Sequence, residues 1–174
     1  MQTTVKTMGG CCWTSCMVVF LLSTRILVRS LSSSSSSSTR IAIVGGGASG
    51  IFAAIHAGNN NDDVKVLEAG KQTLTKVKIS GGGRCNVLHD VTKSPNELLL
   101  GYPRGSKEIR GILNKHFPAT AAAAWFQDHG VALKTEADGR MFPITDSSQT
   151  IMDALLDAAA KNNVEIRTQA KVQH

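Results

Sequence analysis

The stretch Arg40-Ile41-Ala42-Ile43-Val44-Gly45-Gly46-Gly47-Ala48-Ser49-Gly50 decides the fold. Ile41 to Val44 is a short, wholly apolar run that stops at glycine, which reads as a strand buried on both faces, as in a parallel sheet. Gly45 then permits a tight turn. Gly47 lets the backbone approach a pyrophosphate without a Cβ in the way, and Gly50 allows close packing of helix on strand. Ala48, Ser49, Ala53, Ala54 and Ala57 keep the following helix slim. Its N-terminus offers unpaired N–H groups and a positive dipole to phosphate. That helix is expected to end at Gly58 and Asn59.

A second strand is expected at Val64-Lys65-Val66-Leu67, ending in Glu68, 18 residues past Gly50. A carboxylate at that strand end accepts both hydroxyls of an adenosine ribose and repels a 2′-phosphate, which disfavours NADP at this site. Strand, glycine turn, helix and distant acid together specify a dinucleotide site. These residues fit FAD and NAD equally.

Outside this unit the composition changes sharply. Residues 1–40 hold Lys6, Arg25, Arg29 and Arg40 and no Asp or Glu, so 4 of the 19 basic residues and none of the 13 acidic ones lie there. The rest of the chain is close to neutral and poor in aromatics, and no nucleic-acid partner is expected. The apolar stretch Cys11 to Leu22 suits a signal core better than an anchor, and the run Ser32 to Ser38 has transit-peptide character. The expectation is a targeting leader over 1–40, disordered or cleaved, directing the chain to a plastid, with the mitochondrion as the alternative. Membrane contact would then be transient. Cys85 is the only cysteine after the leader, so no disulfide or cysteine zinc cage is expected in the body.

Eight residues after Glu68 begins Lys76-Val77-Lys78-Ile79-Ser80-Gly81-Gly82-Gly83-Arg84-Cys85-Asn86. Three consecutive glycines form an anion-accepting or flavin-contacting concavity, with Arg84 as a fixed positive charge beside it. With Tyr102-Pro103-Arg104-Gly105 and Leu133 to Pro143, and above all the strings Ser80 to Asn86 and Asp138-Gly139-Arg140-Met141-Phe142-Pro143, the chain resembles the BaiN-like, or aminoacetone-oxidase-like, family of NAD(P)/FAD-dependent oxidoreductases. The match is to its plant and cyanobacterial branch and covers nearly all of 41–174. The resemblance implies FAD in the first site, with Gly45, Gly47, Ala48, Ser49 and Gly50 on the pyrophosphate and Glu68 on the ribose. It places Lys78, Ser80, Gly81, Arg84, Cys85 and Asn86 along the flavin side, and Val172, in a strand after the last helix, against adenine. Val87-Leu88-His89 departs from the commoner bacterial pattern. Cys85 has no second cysteine to form a redox pair and is expected to be packed and inert rather than reactive.

Helices are expected over Ser106 to Phe117 and Ala119 to His129, with Trp125 and Phe126 as core. Val131 to Thr135 and Arg140 to Phe142 read as strands around Asp138-Gly139, Arg140 either holding an anionic substrate or bracing the hairpin. Asp146 and Gln149 read as a capping-box-like start to a helix carrying Ile151, Ala154, Leu155 and Ala158, followed by a strand at Val164 to Thr168. The histidines show no ligand spacing, and no metal is expected.

The fold class is therefore α/β: an incomplete Rossmann-like FAD-binding domain with a parallel sheet (41–105), the start of a helical and β-hairpin substrate domain (106–163), and a return strand (164–174). The expected function is FAD-dependent transfer of a hydride or electron pair to or from a small organic substrate, with NAD(P)H as candidate donor. The alternative is a truncated, non-catalytic adenine-nucleotide-binding fragment or interaction module. No catalytic acid or base is identified.

Overall fold

The computed structural model describes residues 39–57 and 62–173. The leader up to residue 38, the expected helix end at Gly58 and Asn59, and His174 lie outside the described residues.

The opening stretch forms β1 (Arg40–Val44), a glycine turn and α1 (Ala48–Ala57), which leads back to β2 (Asp63–Leu67). β1 and β2 run parallel, with Ile41 opposite Val64 and Ile43 opposite Val66. β6 (Glu165–Arg167) adds on the far edge of β2, also parallel, with Ile166 opposite Val66. The order β1-β2-β6 makes this a Rossmann-like parallel sheet.

Alternation decides which side is core. Val64 and Val66 are buried, and Ile41, Ile43 and Ile166 pack partly buried against them. Ala42 and Val44 point the other way, and Val44 is 68% exposed. The expectation of a strand buried on both faces is thereby corrected: the described helices that pack on this sheet cover one face. On the other, Lys65 bonds Asp63 at 2.8 Å and reaches Glu165 at 3.4 Å, while Arg167 pairs with Glu165 at 2.6 Å. An apolar run reports strand propensity, not how many faces are covered.

The covering layer is α1 with the long helix α6 (Ser148–Lys161), which also packs on the short α2 (Thr75–Ile79). Ile151, Ala154, Leu155 and Ala158 of α6 meet Ile51, Ala54 and Ile55 of α1 in one buried cluster. The spacing on α6 is the i, i+3, i+4, i+7 stripe read from the sequence, and Ala154 and Ala158 there, with Ala54 on α1, let the helix axes approach. Burying Ile151 or Leu155 contributes roughly 2–3 kcal/mol each.

A second sheet is antiparallel, built from β3 (Leu88–His89), β4 (Leu133–Thr135) and β5 (Arg140–Pro143) in the order β3-β5-β4. The β4–β5 hairpin turns through Glu136 to Gly139, closed by the Gly139 N–H on the Glu136 carbonyl at 2.8 Å. Between β3 and β4 lie α3 (Pro95–Leu99), α4 (Ser106–Gly111) running into a π-helical turn at Ile112–His116, and α5 (Ala119–Asp128). α3 starts with a complete capping box, Ser94 with Glu97, and Pro95 at its first position.

Two further expectations change. Asp146 does not cap α6: it sits at φ 51°, and the Ser147 hydroxyl accepts the Gln149 N–H instead. Asp146 turns its carboxylate to Lys134 and Arg84, and an ion pair with two cations outweighs one cap bond. Val172 does not lie in a strand, because β6 ends at Arg167 and Val172 follows in irregular backbone, half exposed.

Candidate functional site

Gly45 leaves β1 at φ 102°, a conformation open to glycine and strained for other residues. Its N–H bonds the Leu67 carbonyl at 2.8 Å, which pins the turn to the end of β2. A Cβ on Gly50 would run into the carbonyl oxygen of Gly45, so only glycine lets α1 start this close to β1. Among the described residues, none beyond its immediate chain neighbours lies within 4 Å of a Cβ placed on Gly47, and the residue is exposed. That opening lies at the N-terminus of α1, where the first N–H groups have no intrahelical acceptor.

Glu68 closes the turn from the other side. Its Oε2 accepts the Gly46 N–H and its Oε1 the Gly70 N–H, both at 2.7 Å. These bonds, that from Gly70 first, hold its carboxyl below the usual carboxylate range. Each oxygen keeps a second lone pair, and the side chain is partly exposed, so ribose hydroxyls remain acceptable donors. Gly46 carries more than the sequence suggested: it is buried, a Cβ there would come within 2.7 Å of Thr73 Cγ2, and its carbonyl accepts the Leu74 N–H at 2.8 Å. The run of three glycines instead of two was the available signal.

The return segment lies over this corner. The Glu68 N–H bonds the Arg167 carbonyl and the Ala170 N–H bonds the Glu68 carbonyl, each at 2.8 Å, and the Gln169 N–H bonds Gly70 at 2.9 Å. Val172 follows two residues later. The backbone after β6 thus passes beside the carboxylate, although not as the strand expected.

The second glycine block continues α2 as a 3-10 turn over Ser80–Gly83. Gly81 adopts φ 57°, and a Cβ on it would press to 2.9 Å from both the Asn86 nitrogen and the Phe142 ring. The Cys85 N–H returns to the Ser80 carbonyl at 3.0 Å, and Cys85 itself is buried at φ 60°.

Arg84 lies outside the cavity described next, turned toward the second sheet. It bonds Glu136 Oε1 at 2.6 Å, reaches Asp146 Oδ1 at 3.4 Å, and its guanidinium lies 4.0 Å from the centre of the Phe142 ring. Glu136 first, and then Asp146, raise its pKa further. Arg140 bonds Asp138 through its own side chain at 2.6 Å and approaches Glu136 at 3.8 Å, which makes it a brace of the hairpin. Phe142, fully buried, is therefore flanked by two cations and by Gly81.

The two glycine elements share a cavity of about 470 Å³. Ala48 and Ser49 of α1 and Ser80, Cys85 and Asn86 of the second block line it, with Phe52, Phe117 and Phe126 as aromatic wall. Of the flavin-side residues expected from sequence, Ser80, Cys85 and Asn86 meet here. Gly81 adjoins it through Asn86, and Lys78 contributes a carbonyl that accepts the Ser148 hydroxyl at 2.8 Å. Trp125 stands behind the wall, 5.1 Å from Phe52 and stacked 3.9 Å from His129.

Among the described residues no group of three His, Cys, Asp or Glu side chains gathers around a cation position, and no helix is long and apolar enough to cross a membrane.

The fold has counterparts among known proteins. Residues 39–174 match the family described as HI0933-like protein Rossmann domain. The chain is 32% identical over 131 residues to the ribosomal RNA dihydrouridine synthase of Escherichia coli K12, an alignment covering 71% of this chain and 29% of that protein. The chain thus spans under a third of that relative's length. Among solved structures, the 3-ketosteroid-delta4-(5alpha)-dehydrogenase of Rhodococcus jostii RHA1 shares the fold over 83% of this chain and 41% of its own, at 17% identity and a TM-score of 0.60. THI4 of Thermovibrio ammonificans aligns over 75% and 38%, at 15% identity and a TM-score of 0.46.

Proposed function

The chain belongs to the HI0933-like Rossmann-domain family, and from that premise we propose that it is the cofactor-binding part of an FAD-dependent oxidoreductase. One observation carries the reading: the Glu68 carboxylate holds Gly46, next to the open Gly47 at the start of α1, and the first residues of α1 share a cavity with the second glycine block. A dinucleotide with a flat, extended ring system fits that sequence of anion site, hydroxyl acceptor and partly apolar chamber.

The roles follow residue by residue. Gly45 and Gly50 shape the turn, and Gly47, Ala48 and Ser49 present backbone to pyrophosphate. Glu68 takes the ribose, and the backbone near Val172 takes adenine. Ser80, Gly81, Cys85 and Asn86 border the isoalloxazine, with Lys78 and Arg84 holding that border in place. FAD supplies the two-electron chemistry, and NAD(P)H is the donor and a small organic molecule the substrate in this reading. A plastid location through the acid-free, serine-rich leader completes it.

The test is direct. Purified full-length protein is expected to be yellow and to release on heating a cofactor that chromatographs as FAD. A folded protein that is colourless and takes up no FAD would overturn the proposal.

The 32% identity to an RNA-modifying relative favours a narrower second reading, in which the full-length protein reduces a uracil ring of ribosomal RNA. That reading sets aside the expectation of no nucleic-acid partner. Expression in a bacterium lacking the relative would restore dihydrouridine to its ribosomal RNA; unchanged RNA would reject this reading and leave the flavin proposal intact.

A further inference from the structure

The body of the chain is close to neutral, but its charge is unevenly spread. Residues 41–174 hold 15 Lys and Arg against 13 Asp and Glu; residues 104–116 account for four against one, which leaves eleven against twelve in the rest. The surplus thus sits on α4, the π-helical turn and the residues just before them. It is also unpaired. Lys65, Arg84, Lys134, Arg140 and Arg167 each hold a carboxylate. Among the described residues Arg104, Lys107 and Lys115 hold none, and Arg110 has only the Asn96 amide oxygen at 3.2 Å. All four are exposed.

The helix brings three of them onto one side. At about 100° per residue, Arg110 lies about 60° from Lys107, and continued α-helix would carry Lys115 about 80° the other way. The turn over Ile112–His116 is π-helical instead, with the Phe117 N–H on the Ile112 carbonyl at 2.8 Å. Its larger number of residues per turn brings Lys115 back over Lys107, so Lys107, Arg110 and Lys115 form one stripe with Asn114 beside Arg110. Ile109 and Leu113, half-buried, lie on the opposite side. Glu108, the one acid of the segment, lies about 100° round from Lys107 and pairs with none of the three among the described residues. Like charges side by side repel one another, and an anion laid along them is attracted by all three.

Length and polarity select the anion. Lys107 and Lys115 are eight residues apart, about 10–12 Å of helix and too far for one phosphate to bridge. A nucleic-acid strand carries a charge about every 3.4 Å and can meet all three cations. A bilayer would need apolar side chains entering from the same face, and the stripe has none. We propose that the Lys107, Arg110 and Lys115 stripe binds the phosphodiester backbone of RNA. The charge argument holds for any phosphodiester strand; the choice of RNA rests on the ribosomal-RNA reading above. Backbone contacts of this kind position a strand without reading its sequence.

A short, labelled single-stranded RNA would be titrated, by fluorescence anisotropy, with full-length wild type and two triple variants. The first is Lys107→Gln with Arg110→Gln and Lys115→Gln. The second, Lys71→Gln with Lys161→Gln and Lys171→Gln, removes three exposed cations that hold no carboxylate among the described residues and lie elsewhere. The stripe variant is expected to bind about tenfold or more weakly. Its slope of log affinity against log salt should fall by about two, roughly 0.7 for each lost contact, while the control stays near wild type. Lys115→Gln alone, with a slope lower by about 0.7, keeps the test open should the triple variant unfold. The proposal is overturned if the wild type binds no RNA, if the stripe variant binds no more weakly than the control, or if the stripe holds phosphatidylglycerol vesicles and not RNA. Stripe-dependent RNA binding without restored dihydrouridine would sink the ring-reduction reading alone. Restored dihydrouridine with RNA affinity indifferent to the stripe would sink the surface alone.

Discussion

The Glu68 carboxylate accepts the N–H of Gly46 at 2.7 Å, tying the end of the second strand to the turn that follows the first. The acid expected to read a ribose is thus also a bolt in the glycine loop that would hold the pyrophosphate. Glu68→Gln keeps the shape but loses the charge and one acceptor oxygen. It is expected to weaken FAD binding by about tenfold or more, since bonds to a charged acceptor are roughly twice as strong as neutral ones. Fluorescence titration of flavin-free protein would measure it, and unchanged affinity would remove Glu68 from the site.

The pH dependence follows in sign from the same bonds. Glu68 is held below its ordinary value by the Gly70 and Gly46 N–H groups. A depressed carboxyl contributes stability that is complete above the ordinary range, about 4.3, and is lost as pH falls through the lower folded value. Asp146, depressed chiefly by its bond from Lys134, loosens in the same direction. FAD is therefore expected to stay bound at neutral pH and to leave on acidification. Stopped acid jumps on the wild type and Glu68→Gln should show the wild-type step diminished in the variant.

Arg84 acts at a distance from the cofactor in this account. Its pairs with Glu136 and Asp146 and its place over Phe142 fix the glycine block against the β4–β5 hairpin. Arg84→Lys preserves charge but neither the planar fork nor the stacking. Faster flavin release is expected in Arg84→Lys and in Glu136→Gln alike, with the double variant no worse than the worse single one. Additive effects would show that the two residues act separately.

Cys85 is buried and lies on the cavity wall. Slow alkylation of native protein and full retention of FAD in Cys85→Ala are expected, read by peptide mass and by absorbance. Rapid labelling with loss of activity would mark a reactive thiol instead.

Much of this was legible from local pattern. The glycine spacing, the acid 18 residues on, the apolar stripe of α6 and the Asp138-Gly139 hairpin are all short-range signals, and the parallel sheet follows from them. What escaped depended on distant partners. Asp146 looks like a helix cap until Arg84, 62 residues earlier, takes its carboxylate. Arg84 looks like an anion receptor until Glu136 and Phe142 claim it. β3 is two residues long and exists only because β5 pairs with it, and the exposure of Val44 is set by which side the helices take.

Gly47 separates binding from folding. Among the described residues, none beyond its immediate chain neighbours lies within 4 Å of a Cβ there, whereas one on Gly50 strikes the Gly45 carbonyl. FAD titration of Gly47→Ala, beside thermal melting of Gly47→Ala and Gly50→Ala, decides whether this loop holds the cofactor. Gly47→Ala is expected to keep the wild-type melting temperature with FAD affinity down by about tenfold or more, and Gly50→Ala to be destabilised by roughly 1–3 kcal/mol. Wild-type FAD affinity in Gly47→Ala would contradict it.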